Sequence, residues 1–374
     1  MGYIFIPKGS GATGPAVEKI DKSFGYNISS GLSQYRKALQ ASATSQVRII
    51  WIGDSLTQQA GAAGYAQVLR SKLQARYGNS SIGYLIPDNF GGGAGWGFNN
   101  NQGGFALQAL KFTGGATVSE VTGTVSLYNP RFMFRKQVSG GGTAKIFINN
   151  VEKGTVDCSG GNGTASDWDL SVSIAQPATN GLGVRIVPDG NGIVEFNGVI
   201  TETATNSGVM LHRIASPGAR ASHFASQNAM IGWKYFSSPH LVGLCLGAND
   251  IYNVSAANLK STLQQWKADM GTIINYWKGR GSDVLLVPWF RPADSWTTFW
   301  PELVEAYYEL ADQFNCGLVD VYRALGMSYE LLANVYGYLG DGPDPIHPTG
   351  GQKAAIGAGH AHVARIIEPN VILK

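Results

Sequence analysis

The run Ile49-Ile50-Trp51-Ile52, closed by Gly53-Asp54-Ser55, constrains the fold of this chain more than any other stretch. Consecutive, mostly β-branched apolar side chains belong to a strand buried on both faces, and such strands occur in parallel sheets covered by helices. Gly53 lets the backbone turn sharply where that strand ends. Ser55 is thereby delivered to the carboxyl edge of the sheet, where open α/β folds place their ligands. A serine at this point can be a nucleophile, or it can N-cap the helical segment that follows; the turn by itself admits both.

A second run, from His240 to Leu246, repeats the pattern and ends in Gly247-Ala248-Asn249-Asp250. The Asn249 amide at a neighbouring strand end could donate to a developing oxyanion, and Asp250 is expected to cap the helix beginning near Ser255. Far downstream stands Asp344-Pro345-Ile346-His347-Pro348. A serine hydroxyl needs an imidazole to take its proton, and the imidazole needs an acceptor on its other nitrogen to fix the tautomer. Asp344 and His347 supply both within one turn whose prolines restrict the backbone, although a Pro-rich surface turn with an incidental histidine has the same letters.

The rhythm of the chain divides it. Gly64 to Tyr77 carries helical spacing, and then from about Ile86 to Ser207 the text is strand and turn. The Gly- and Asn-rich passage Gly91 to Asn101 cannot hold a helix. Short alternating segments follow at Thr122 to Tyr128, Ala144 to Ile148, Asp169 to Ile174, Gly183 to Val187 and Gly192 to Val199, the pattern of a β-sandwich. Beyond Ser207 helices are expected over Asn258 to Trp277, Trp300 to Phe314 and Gly351 to Ile367, with strands at Asp283 to Pro288 and Gly317 to Tyr322. The predicted organisation is an N-terminal arm and lead-in (1–40), a catalytic α/β domain in two pieces (41–87 and 208–374), and an inserted all-β domain (88–207).

Three motifs in this order resemble the SGNH hydrolases, the GDSL-type serine esterases. Gly53-Asp54-Ser55-Leu56 matches the family's nucleophile block, Gly247-Ala248-Asn249-Asp250 its Gly-x-Asn-Asp block, and Asp344-Pro345-Ile346-His347 its Asp-x-x-His block. Gly218, in Ile214-Ala215-Ser216-Pro217-Gly218-Ala219, is the best match to the remaining glycine block. The resemblance implies a three-layer α/β/α, flavodoxin-like parallel sheet, here interrupted by a jelly-roll-like β-sandwich. It also implies Ser55 as nucleophile, His347 as base and acid, Asp344 as its orienter, and Ser55 N–H, Gly218 N–H and the Asn249 amide as the oxyanion hole. No metal or organic cofactor is needed.

Some SGNH hydrolases that act on polysaccharide O-acetyl groups carry a β-sandwich resembling a carbohydrate-binding module. Exposed indoles suit sugar rings, so Trp96, Trp289, Trp296 and Trp300 are candidates for the rim of the site, although most tryptophans serve as packing. The expected activity is removal of small acyl groups from an acetylated polysaccharide. The alternatives are a lipase or thioesterase on the same scaffold, and a polysaccharide-binding phage-tail or adhesion module with a vestigial site.

Composition excludes other classes. With 28 basic and 25 acidic residues the formal charge is +3, too mild for a nucleic-acid partner, and no Lys/Arg cluster forms a phosphate-binding stripe. The three cysteines are far apart, and Cys245 and Cys316 fall in apolar strands as small buried hydrophobes. His360 and His362 are two apart on a helix and cannot share a face. Gly9 to Gly14 spells a dinucleotide fingerprint without a leading strand and reads as an arm, a possible attachment to a larger particle. Lacking a signal peptide and a transmembrane run, the chain is expected to be extracellular with its leader removed, or virion-associated.

Overall fold

The computed structural model describes residues 24–58, 64–81, 83–100, 104, 106–114, 120–201, 206–290, 293, 296–328 and 358–372. Seven strands form one sheet: β1 (Gly25–Tyr26), β2 (Gln46–Gly53), β3 (Asn79–Ser81), β4 (Gly208–Ala215), β5 (Leu241–Cys245), β6 (Asp283–Leu286) and β7 (Gly317–Val319). Their spatial order is β1-β7-β6-β5-β2-β4-β3. Every pairing is parallel except that of β1 with β7. All residues of β4, β5 and β6 are buried, so helices cover both faces of the sheet. Helices Tyr65–Tyr77 and Ala358–Val371 pack on each other, as do Ala256–Lys278 and Trp300–Phe314.

The central strand carries the largest side chain of the sheet interior. Trp51 is fully buried and lies in register with Gly243 of β5. A Cβ at Gly243 would stand 2.6 Å from the indole ring, so the missing side chain is the space the indole fills. On the other flank β4 runs beside β2 along its whole length. The sequence signals did not mark β4 as a strand, because His212 and Arg213 interrupt its apolar text; both are buried.

Between β3 and β4 the chain builds a second core. One antiparallel sheet comprises Val151–Asp157, Thr143–Ile148, Thr179–Pro188, Val121–Leu127 and Gly91–Gly92. The other comprises Leu170–Ser173, Arg131–Arg135, Val194–Ile200, Gln108–Phe112 and Trp96–Asn100. Ile146, Ile148, Val184 and Ile186 from the first sheet and Phe112, Phe132, Phe134 and Phe196 from the second share one buried cluster, distinct from that of the parallel sheet. The Gly/Asn-rich passage is therefore partly strand, since Trp96–Asn100 pairs with Gln108–Phe112. The sandwich is fastened to the α/β layer at several points. Tyr84–Leu85 pairs with Val199–Ile200, Lys234 bonds Asp169 at 2.5 Å, and Ser216 Oγ donates to the Leu107 carbonyl at 3.2 Å.

Residues 24–40 pack into the α/β layer. Tyr35 and Leu39, one turn apart on helix Ser33–Gln40, are both buried, and the Tyr35 N–H donates to Asp283 Oδ2 at 2.8 Å. Gly9 to Gly14 lies outside the described residues. No helix among the described residues is long and apolar enough to cross a membrane. Because the indole fills the space at Gly243, Gly243→Ala should cost about 1–3 kcal/mol by overpacking. Urea denaturation would read the loss, with the far-ultraviolet circular dichroism unchanged.

Candidate active site

The register of three strands assembles the site. Gly53 at the end of β2 is aligned with Ala215 of β4 on one side and Cys245 of β5 on the other. Neighbouring strands lie about 4.8 Å apart, so the turns that follow these residues emerge side by side. Ser55, Gly218 and Asn249 belong to those three turns. This is also where successive connections leave the central strand in opposite directions, the switch point of an open α/β sheet.

Ser55 is half-buried and opens the short helix Ser55–Gln58. The residue that caps this helix is Asp54: its Oδ1 accepts from Leu56 N–H at 2.9 Å, and its carbonyl accepts from Thr57 and Gln58 at 3.1 and 2.9 Å. Capping therefore does not account for Ser55. Gly53 has no room for a side chain, since a Cβ would stand 2.0 Å from Thr57 Oγ1 and 3.0 Å from the Cys245 carbonyl. Thr57 Oγ1 in turn contacts the Tyr65 hydroxyl at 2.7 Å, which accepts from Trp51 Nε1 at 2.7 Å. The turn thus rests on a fully paired aromatic floor.

Gly218 has φ +70° and follows Pro217 in a turn closed by Ala219 N–H to the Ser216 carbonyl, 3.1 Å. Proline followed by a left-handed glycine is the type II pattern, which a residue with a Cβ adopts only under strain. Two side chains from the β5 turn hold this loop. Asn249 Nδ2 donates to the Ala219 carbonyl at 3.0 Å, and the Asp250 carboxylate accepts from Ala221 N–H at 3.0 and 3.3 Å. Asp250 therefore caps helix Ala221–Phe224, not the helix that begins after Ser255, as the sequence suggested; Ser255 makes no side-chain cap bond. Its partner is contributed by another strand's turn, which sequence spacing does not register. The β5 turn is itself pinned, because Leu246 N–H donates to the Tyr307 hydroxyl at 3.0 Å and that hydroxyl donates to the Leu246 carbonyl.

The second Asn249 contact is to Asp54 Oδ2, long at 3.4 Å. Both partners are acceptors, which orients the amide with its nitrogen toward Asp54 and Ala219. Burial, opposed by the Leu56 N–H bond and helped by the nearby Asp250 charge, pushes the Asp54 carboxyl up to about 7. Asp250 is also pushed up to about 7, chiefly by desolvation, with Ala221 N–H and Arg220 acting in the opposite direction.

The aromatic candidates separate. Trp296 is partly buried, with Nε1 donating to the Ala248 carbonyl at 2.8 Å and its ring 4.4 Å from that of Tyr252. Tyr252, 43% exposed, extends this aromatic surface beside Asn249. Only its position two residues after the Asn-Asp pair could have flagged it. Trp289, 2% exposed, is core: it packs against Tyr65, Phe290 and His360. Trp300 is equally buried and donates to the Trp289 carbonyl at 3.1 Å. Neither forms a rim, because each side chain is almost wholly buried. Trp96 belongs to the sandwich, against Phe112 at 5.6 Å. It is paired at the Phe112 end of its hairpin, four residues from Gln108, whose neighbour Leu107 touches the Gly218 loop. At about 3.3 Å per residue, Trp96 stands roughly 13 Å along the strand from Gln108. Asp344 and His347 lie outside the described residues. Cys158, Cys245 and Cys316 are buried free thiols, and burial raises the pKa of each.

No family model and no curated protein matches the sequence. Solved structures do. A peptidoglycan O-acetylesterase aligns over 92% of this chain and 95% of its own, with a TM-score of 0.59 at 15% identity. An acetyl-xylooligosaccharide esterase from Geobacillus aligns over 89% and 97%, at 12% identity and a TM-score of 0.41. The chain shares its fold with the peptidoglycan O-acetylesterase, and the β-sandwich stands beside the parallel sheet.

The Asp250 carboxyl, raised from its unfolded value near 4, favours folding most below that value and loses this contribution as pH rises through about 7. Asparagine does not titrate and can still accept from Ala221 N–H. The melting temperature of Asp250→Asn relative to the unaltered protein should therefore rise between pH 5 and pH 9, as read by differential scanning fluorimetry.

Proposed function

We propose that this protein is a serine esterase that removes O-acetyl groups from a polysaccharide. The observation that carries the proposal is the Ser55 turn: the capping role belongs to Asp54, and the serine is held half-buried at the switch point beside Gly218 and Asn249. Ser55 attacks the acetyl carbonyl while His347, oriented by Asp344, takes its proton. The tetrahedral oxyanion receives the N–H groups of Ser55 and Gly218 and the amide of Asn249. Asn249 has a donor to give, because its 3.4 Å contact with Asp54 is weak and a charged oxygen in the site competes well for that N–H.

Collapse of the intermediate returns the proton from His347 to the departing sugar oxygen and leaves acetyl on Ser55. Water then attacks the acyl-enzyme with the same histidine as base, releasing acetate and restoring the serine. Trp296 and Tyr252 present aromatic surface next to this centre for a sugar ring. The shared fold with a peptidoglycan O-acetylesterase supports an acetylated glycan as the substrate class. Such a substrate fits an extracellular or virion-associated setting.

Acetate release from acetylated polysaccharides, with 4-nitrophenyl esters of increasing chain length beside them, tests the proposal. Turnover should fall as the acyl chain lengthens and should be abolished in Ser55→Ala. Retained activity in that variant would overturn the mechanism, and preference for long chains would point to a lipase. Asn249→Ala should lower kcat by about 10²–10³-fold, the usual effect of removing one oxyanion donor. Trp289→Phe should leave KM for the polymer unchanged, whereas Trp296→Ala should raise it.

A further inference from the structure

A cleft of about 630 Å³ lies between the sandwich and the parallel sheet, remote from Ser55. From the sandwich it is lined by Asn129 and Arg131, and from the α/β layer by Asn206, His212, Tyr235 and Ser237. Gln46, which also borders it, opens β2 seven residues before Gly53. At about 3.3 Å per residue the cleft is therefore roughly 23 Å from the turn that carries the nucleophile, at the amino end of the sheet. It is a separate place on the molecule.

Its chemistry is directional. Among its described lining residues there is no Asp or Glu. The Arg131 guanidinium lies 4.4 Å from the Tyr235 ring and donates one N–H to Ser171 Oγ at 3.1 Å. A guanidinium has five N–H groups, so the fork retains donors for a carboxylate. Arg48 adds positive charge beside the cleft, bonded to Gln46 Oε1 at 3.2 Å and to the Ser238 carbonyl at 3.0 Å. Among the described residues the nearby carboxylate Asp169 is paired with Lys234 at 2.5 Å. His212, 2% exposed, has an Nδ1 without a hydrogen-bond partner among the described residues, and burial together with Arg48 pushes its pKa down to about 3. It is therefore a neutral polar group in the wall, able to take part in a hydrogen bond without contributing charge. The other polar lining residues are amides and hydroxyls, which meet sugar hydroxyls, and Ile174, Ile200, Met210 and Phe236 give apolar surface between them.

We propose that this cleft is a second glycan-binding site, for a short stretch of sugar chain bearing a carboxylate, a proposal that rests on the polysaccharide reading above. Arg131 grips the carboxylate, and Asn129, Asn206 and Ser237 meet the hydroxyls. Since both cores contribute walls, an occupied cleft also ties the sandwich to the catalytic layer and keeps the polymer on the protein between successive deacetylations.

Calorimetry on full-length Ser55→Ala with hexagalacturonic acid and with cellohexaose tests it at low salt. The acidic hexamer should bind at least fivefold more tightly than the neutral one. Arg131→Gln in that background should cost fivefold or more, and Ser237→Trp, which places an indole in the cleft from an exposed position, should do the same. Introduced into the protein that retains Ser55, both substitutions should leave 4-nitrophenyl acetate turnover within twofold, which also shows that they fold. Equal or tighter binding of cellohexaose, no binding of either sugar, or unchanged affinity in both variants would overturn the proposal. Absence of turnover in the unaltered protein would instead overturn the esterase reading, while the calorimetry still reports on the cleft.

Discussion

The parallel alignment of β4, β2 and β5 is the interaction on which the rest of the molecule depends. Three strands buried on both faces must end together, because hydrogen-bonded register pairs Ala215, Gly53 and Cys245 across the sheet. Their turns are then forced into contact, and short polar bonds finish the arrangement. Asn249 reaches the Ala219 carbonyl and Asp250 takes Ala221 N–H, so the β5 turn holds the β4 turn from the side. A slip of one residue in either pairing would send these side chains to the other face. Trp51 resists such a slip, since its indole fits only over the glycine at 243.

Electrostatics at this edge follow from burial. Asp54 does the capping that lets the chain enter a helix immediately after the strand, and it does so almost without solvent. Its carboxyl, like that of Asp250, is consequently raised toward neutrality. Both groups hold the turns at this edge of the sheet. The acidic residues next to Ser55 and Asn249 thus hold the turns that carry them. The sandwich stands against the same layer through its own contacts, and it forms with the amino end of the sheet a cleft of opposite character, polar and positively charged.

Much of this was legible beforehand where one residue type has one physical use. The apolar run before Ser55 could only be a buried strand, and Trp300–Phe314 follows its helical spacing to the residue. The sandwich announced itself through alternation and turns, although Arg131–Arg135 and Val151–Asp157 were not read as strands: the first is short and bounded by arginines, the second mostly exposed. β4 was missed for the converse reason, since His212 and Arg213 look like surface residues and are buried. The tryptophans were the least legible. Trp289 and Trp296 are equally apolar in the text, and only packing distinguishes the one walled in by Tyr65 and His360 from the one strapped to the Ala248 carbonyl beside the site.

By itself the sequence determined the buried central strand, the small polar turns at strand ends, the interruption of an α/β rhythm by a β domain, and the order of three motifs. These are local matters, set by side-chain volume, branching and the conformational freedom of glycine within a few residues. Tertiary structure decided which side chain takes which role. Asp250 serves a helix that follows another strand, Trp96 stays with the sandwich, and a cleft bordered by Arg131 opens where two cores meet. Each depends on partners that are distant in the chain, and a hydrogen bond or a packed ring has no periodicity that sequence could record.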